Sequence, residues 1–186
     1  MSLLMFNDIK DIRDKNDNNY WSSIVNLPKT DEYITNNRGQ RLHVRSYWPN
    51  SSTCKSLVIF CHGYASHINR PLHSYISKQY NDNDIGYVTI DVSGHGYSDG
   101  VKGYIDSYND TIDDILSLLI CLYSTSSTSS NLQRKELGLL PFFFMGHSMG
   151  GAISINIASI LCNLNDYYNV SHTSFRLFII HYYYYY

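Results

Sequence analysis

Phe142-Phe143-Phe144-Met145-Gly146-His147-Ser148-Met149-Gly150-Gly151-Ala152-Ile153 decides how this chain is read. Pro141 to Met145 is a short, continuously apolar run, the pattern of a strand buried on both faces of a parallel sheet. Ala152–Cys162 reads as an apolar helix, and Gly146–Gly151 between them as a sharp turn. Inside that turn lies G-x-S-x-G. Five letters match by accident, but a strand before and a helix after give them a mechanical meaning. A tight, strained apex projects the Ser148 hydroxyl from the sheet, while Gly146 and Gly150 leave room for backbone to pass close by. The helix that starts there aims its positive end at developing negative charge. Ser148 is therefore the candidate nucleophile.

Working outward from the elbow, two further buried strands precede it. Leu57–Cys61 is apolar throughout and ends in His62-Gly63-Tyr64. Gly86–Ile90 ends in Asp91 and the glycine-rich loop SGHGYSDG. A helix over Leu72–Tyr80 separates them. Asp106–Tyr123 carries Ile112, Ile115, Leu116, Leu119 and Leu122 at helical spacing, with Asp113 and Asp114 expected on the wet side. Strands alternating with helices imply a largely parallel sheet with right-handed crossovers. Ahead of them, EYITNNRGQRLHVRSYWP predicts two antiparallel strands turning at Asn36-Asn37-Arg38-Gly39.

The ends are different in kind. Residues 1–30 read as a polar leader, and residues 31–186 as the N-terminal portion of a single domain, with a Ser/Thr-rich surface loop at 124–130. Phe175–Ile180 could form another buried strand, and the anomalous tail 181–186 follows as His181 and five tyrosines.

Composition narrows the function class. The chain has 186 residues, 44% of them apolar and 16% charged, which suits a single globular domain. A net charge of -2 gives no reason to expect nucleic acid as a partner. Cys54, Cys61, Cys121 and Cys162 are scattered, without a CxxC pair or metal-ligand spacing, so no metal is expected. Asn50, Asn109 and Asn169 head N-x-S/T triplets, read as chance in an Asn-rich chain. No signal peptide or transmembrane segment is expected, which makes the cytoplasm the default location. Reading SGHGYSDG as a dinucleotide loop fails on spacing, since its glycines run G-x-G-x-x-x-G.

Acyl transfer needs at least two N–H donors aimed at the oxyanion, supplied in this architecture by the residue after the nucleophile and by the loop after the first parallel strand. Met149 and Tyr64 are the candidates, through their backbone.

FCHGYASH, DVSGHGYSDG, GYIDSY and FFFMGHSMGGAI resemble, in order and spacing, the monoacylglycerol lipase and lysophospholipase branch of the α/β hydrolases, also called serine aminopeptidase-like. The resemblance runs from about Glu32 to about Cys162. It implies an α/β-hydrolase fold with an eight-stranded, mostly parallel sheet and helices on both faces. It implies no cofactor and a lipid ester substrate, with transient contact at a membrane surface. Within it Ser148 is the nucleophile, Tyr64 and Met149 form the oxyanion hole, and Asp91 with its loop is structural, outside the triad.

The same resemblance implies a triad in the order serine, acid, histidine, with the last two far downstream. Asp166, His172 and His181 follow Ser148 too soon, and His147 adjoins it on a turn whose neighbours point apart. The chain thus reads as truncated after the elbow helix, without triad Asp and His. Residues 1–186 alone are expected to be inactive and poorly folded, with an apolar edge left open beside the elbow strand. An inactive interaction domain is the alternative function. Acyl transfer or peptide hydrolysis would share the same machinery.

Overall fold

The computed structural model describes residues 29–50, 54–123, 140–168 and 175–177. Most of the leader, the Ser/Thr-rich stretch 124–130, His172, His181 and the tyrosine tail lie outside the described residues.

Strands β1 (Thr30–Thr35) and β2 (Arg41–Tyr47) pair antiparallel, with Ile34 opposite Leu42. Their turn closes through Asn36, whose side-chain oxygen accepts the N–H groups of Arg38 and Gln40 while Gly39 takes φ +77°. This is the Asx chemistry that places Asn and Gly in turns. Strands β3 (Ser56–Cys61), β4 (Ile85–Ile90) and β5 (Phe142–Gly146) are parallel, and with the short β6 (Phe175–Leu177) the sheet order is β1-β2-β4-β3-β5-β6. Helix α1 (Pro71–Asn81) links β3 to β4 and begins with proline, whose missing N–H costs nothing there. Helix α2 (Tyr108–Tyr123) precedes β5, and α3 (Met149–Tyr168) follows it.

Period-two alternation divides β3 between two cores. Leu57, Ile59 and Cys61 join Val88, Ile90, Phe142 and Phe144 against Ile115 and Leu118 of α2 and Ile153 and Ile157 of α3. Val58 and Phe60 join Tyr47, Tyr87 and Met145 against Ile76 of α1. Helices thus cover both faces, which is why β3, β4 and β5 are apolar throughout. Cys61 is in register with Ile90 on one side and with Gly146 on the other. The next residues, His62, Asp91 and His147, therefore leave the sheet at one edge. That edge lies where the chain switches from one side of β3 to the other, the place where open α/β sheets bind ligands.

Three expectations change. Asp114 does not face water: it is fully buried, accepting from Asn36 Nδ2 at 2.8 Å and Ser93 N at 2.7 Å and pairing with Arg38. Apolar periodicity sees only a polar letter there and cannot see the cation that meets it. Asp113 keeps a half-exposed side chain, as expected. The turn after β5 is tighter than Gly146–Gly151, because α3 already begins at Met149. Finally, a strand does form within the Phe175–Ile180 stretch, and it covers the edge expected to be open beside the elbow strand. Strand β6 (Phe175–Leu177) pairs in parallel with Phe142–Phe144, so that part of β5 is no open edge.

Candidate active site at the strand ends

Ser148 has φ +53°, a left-handed conformation that a residue with a Cβ enters at a cost of order 1–3 kcal/mol. The surroundings impose it. His147 N–H donates to Cys61 O at 3.1 Å, fastening the exit of β5 to the end of β3. Gly150 N–H returns to His147 O and Gly151 N–H to Ser148 O, both at 2.9 Å, so the chain enters α3 within one residue of the serine. A Cβ on Gly146 would stand 2.2 Å from Gly150 O, and one on Gly150 2.0 Å from Cys61 O. Both contacts are to backbone, so only glycine fits at either position. The elbow is held by backbone packed against backbone.

The loop after β3 lies directly against it. A Cβ on Gly63 would meet His147 Nδ1 at 2.9 Å and Ser148 Cβ at 3.2 Å. Tyr64 is the next residue, with a half-exposed side chain whose hydroxyl donates to Gly103 O at 2.7 Å. Among the described residues, neither the Tyr64 N–H nor the Met149 N–H donates to a protein acceptor. Met149 is the first residue of α3, so its N–H is one of the unbonded donors that every helix start carries. The structure thus brings together the three residues singled out in the sequence.

This loop is held from below by side chains. His62 is buried, and its Nε2 accepts the Val92 N–H at 3.2 Å. A backbone N–H can only donate, so the proton of the neutral ring sits on Nδ1 and is donated to Gly63 O at 2.7 Å. Burial pushes the His62 pKa down to about 4, which keeps the ring neutral. Asp91, fully buried, accepts Ile68 N–H at 2.8 Å, Tyr97 N–H at 3.0 Å and His43 Nδ1 at 3.0 Å. Burial alone would raise its pKa, but His43 and these two N–H groups hold the carboxyl below the usual range. His43 also meets Asp31 through Nε2 at 2.9 Å, and Arg45 joins Asp31 at 2.6 Å and Ile68 O at 3.2 Å. Asp91 thus ties the loops after β3 and β4 to strand β2 through its hydrogen bonds. Its partner His43, and the Asp31 and Arg45 linked to it through His43, lie on the antiparallel hairpin, and no local motif marks them.

Among the described residues no hydrogen bond reaches the Ser148 hydroxyl. Asp166 falls near the far end of α3, about 27 Å along the helix axis from Ser148. No cluster of three or more metal-ligating side chains occurs among the described residues. None of the four cysteines is paired, and burial raises Cys61 to about 12. No helix among the described residues is long and apolar enough to cross a membrane. A shallow cleft lined by Phe60, His62, Gly63, Leu72, Ile76 and His147 opens beside the elbow.

Comparison with known proteins agrees with this geometry. The family described as serine aminopeptidase, S33, matches residues 52–165, more than half of the chain. The monoglyceride lipase of Rattus norvegicus is 31% identical over 135 residues, which are 72% of this chain and 40% of that protein. The chain thus spans about two fifths of the length of the monoglyceride lipases it matches over this stretch. Among solved structures, a putative hydrolase from Agrobacterium vitis superposes with a TM-score of 0.60 at 17% identity, over 83% of this chain and 52% of that one. A thermostable carboxyl esterase from Bacillus coagulans, in complex with glycerol, gives 0.59 at 19% identity over 82% and 44%. Fold, strand order and family match converge: the chain belongs to the serine aminopeptidase, S33, family and has the α/β-hydrolase fold.

Proposed function

We propose that this chain is the nucleophile-bearing part of a serine hydrolase that cleaves carboxylic esters of lipids, of the monoacylglycerol or lysophospholipid type. The observation that carries the reading is Ser148 at φ +53°, with a helix beginning at the next residue and the Gly63 backbone packed against its side chain. The names of the relatives support the substrate class.

In this reading the Ser148 hydroxyl attacks the ester carbonyl and loses its proton to a base of the complete protein. The carbonyl oxygen takes up the electron pair and is met by the Tyr64 and Met149 N–H groups, which donate to no protein acceptor among the described residues. Collapse of the tetrahedral intermediate expels the alcohol, protonated by the same base, and leaves an ester on Ser148. Water attacks that ester and releases the fatty acid. Phe60, Leu72 and Ile76 give the adjoining cleft an apolar wall suited to a lipid.

The test is covalent labelling of the full-length protein with a fluorophosphonate. One serine is expected to react, and Ser148→Ala should abolish labelling. Undiminished labelling of that variant would remove Ser148 from the nucleophile role.

A further inference from the structure

We propose that His95, from the loop after β4, is the positioning residue that fixes the Tyr64 peptide for catalysis. This rests on the serine-hydrolase reading above. His95 is almost completely buried, and its Nε2 accepts the Ala65 N–H at 3.3 Å. Because that N–H can only donate, the neutral ring carries its proton on Nδ1, which lies 3.1 Å from Ser93 O and donates to it. His95 thus bridges two loops in one tautomer, just as His62 does one step closer to the sheet. Its ring lies 5.2 Å from that of His62 and meets the Tyr64 ring edge-on at 5.7 Å.

The residue it grips is unusual. Ala65 has φ +54°, a conformation alanine avoids without an external hold. The Ala65 N–H belongs to the peptide that joins Tyr64 to Ala65. Holding it while His62 holds Gly63 O fixes the chain on both sides of Tyr64. Ser66 N–H donates back to Gly63 O at 3.2 Å, closing the turn around the same residue. Among the described residues the Tyr64 N–H donates to no protein acceptor, and the neighbouring Gly63 lies so close to Ser148 that an added Cβ would stand 3.2 Å from the Ser148 Cβ. Without the acceptor on His95, Ala65 is free to relax toward negative φ, and the Tyr64 peptide turns with it. The expected penalty is that of a misplaced oxyanion donor.

Two carboxamides that differ by one methylene separate this role from simple packing. In the full-length protein His95→Gln reaches Ala65 with Oε1 and keeps the acceptor. His95→Asn reaches only Ser93 O and leaves Ala65 N–H unbonded. His95→Asn should slow fluorophosphonate labelling of Ser148, and kcat on a chromogenic ester, by about 10–100-fold with KM nearly unchanged. His95→Gln should stay within about threefold of the parent. Equal losses from both variants, or no loss from His95→Asn, would overturn the role while leaving Ser148 as the labelled nucleophile. A parent that is not labelled at Ser148 would instead overturn the reading on which the role rests. Should either variant fail to unfold cooperatively, amide exchange in the parent decides. The Ala65 N–H is expected to be protected and the Tyr64 N–H not, and an unprotected Ala65 N–H would rule out the hold.

Discussion

The elbow and the loop that faces it occupy one edge of one sheet, yet they are held by opposite means. Around Ser148 the shape follows from glycines where backbone meets backbone. Around Tyr64 the backbone is tied to the end of β4 and its loop by side chains: His62 on Val92 N–H, His95 on Ala65 N–H, and Asp91 on Ile68 N–H. Steric hold is short in range and fails abruptly when a methyl group is added. Hydrogen-bonded hold is long in range and depends on protonation. The two halves of the site should therefore respond to different insults.

The largest effect is expected where backbone meets backbone. Gly150→Ala places its Cβ 2.0 Å from Cys61 O and 2.6 Å from His62 O, so relief requires moving the end of β3. That exceeds ordinary overpacking, and we expect a loss of more than about 4 kcal/mol, or no folded protein. Urea unfolding of the variant within about 1 kcal/mol of the parent would show that the elbow is not sterically locked.

The second effect belongs to the loop and is set by pH. The folded pKa of His62, about 4, lies below the ordinary 6.5, so the folded protein binds fewer protons than the unfolded chain. Stability from this group is intact above pH 6.5 and falls as the pH drops from there toward 4. Burial is the main cause, and a proton on Nε2 would also face the Val92 N–H, donor against donor. Between pH 7 and pH 5 the parent should lose about 2 kcal/mol more stability than His62→Asn. Equal losses from urea unfolding at the two pH values would mean that His62 is not held neutral.

This difference also explains what was legible in the sequence. The parallel strands, the switch point and the elbow are written locally, because buried strands are apolar runs and a tight apex requires glycine. The Tyr64 loop was found only through its adjacency to β3, since the residues that hold it lie 23 to 30 positions away. Asp114 misled for the same reason: a helical pattern cannot show that Arg38 and Asn36, more than 70 residues upstream, meet it inside. β6 was legible as an apolar run, but its pairing with β5 is a three-dimensional fact.

The smallest effect tests the division of labour within Tyr64 itself. Its side chain is 58% exposed, and its hydroxyl makes one surface hydrogen bond, to Gly103 O at 2.7 Å. Tyr64→Phe removes that bond and leaves the ring in place beside His95. An exposed bond of this kind is worth about 1 kcal/mol or less, because water replaces the lost partner. Stability should fall by no more than that, and ester turnover by less than about threefold. Tyr64→Pro removes the N–H instead, and by comparison with other oxyanion donors should cost about 10²–10³-fold. The contrast carries the information. Proline can also strain the loop, so a slow Tyr64→Pro variant alone would prove little, but strain gives no reason for Tyr64→Phe to remain fast. Matching losses in kcat for the two substitutions would place the function of Tyr64 in its side chain. The loop after β3 would then be a binding surface, and the second donor would have to come from elsewhere along the sheet edge.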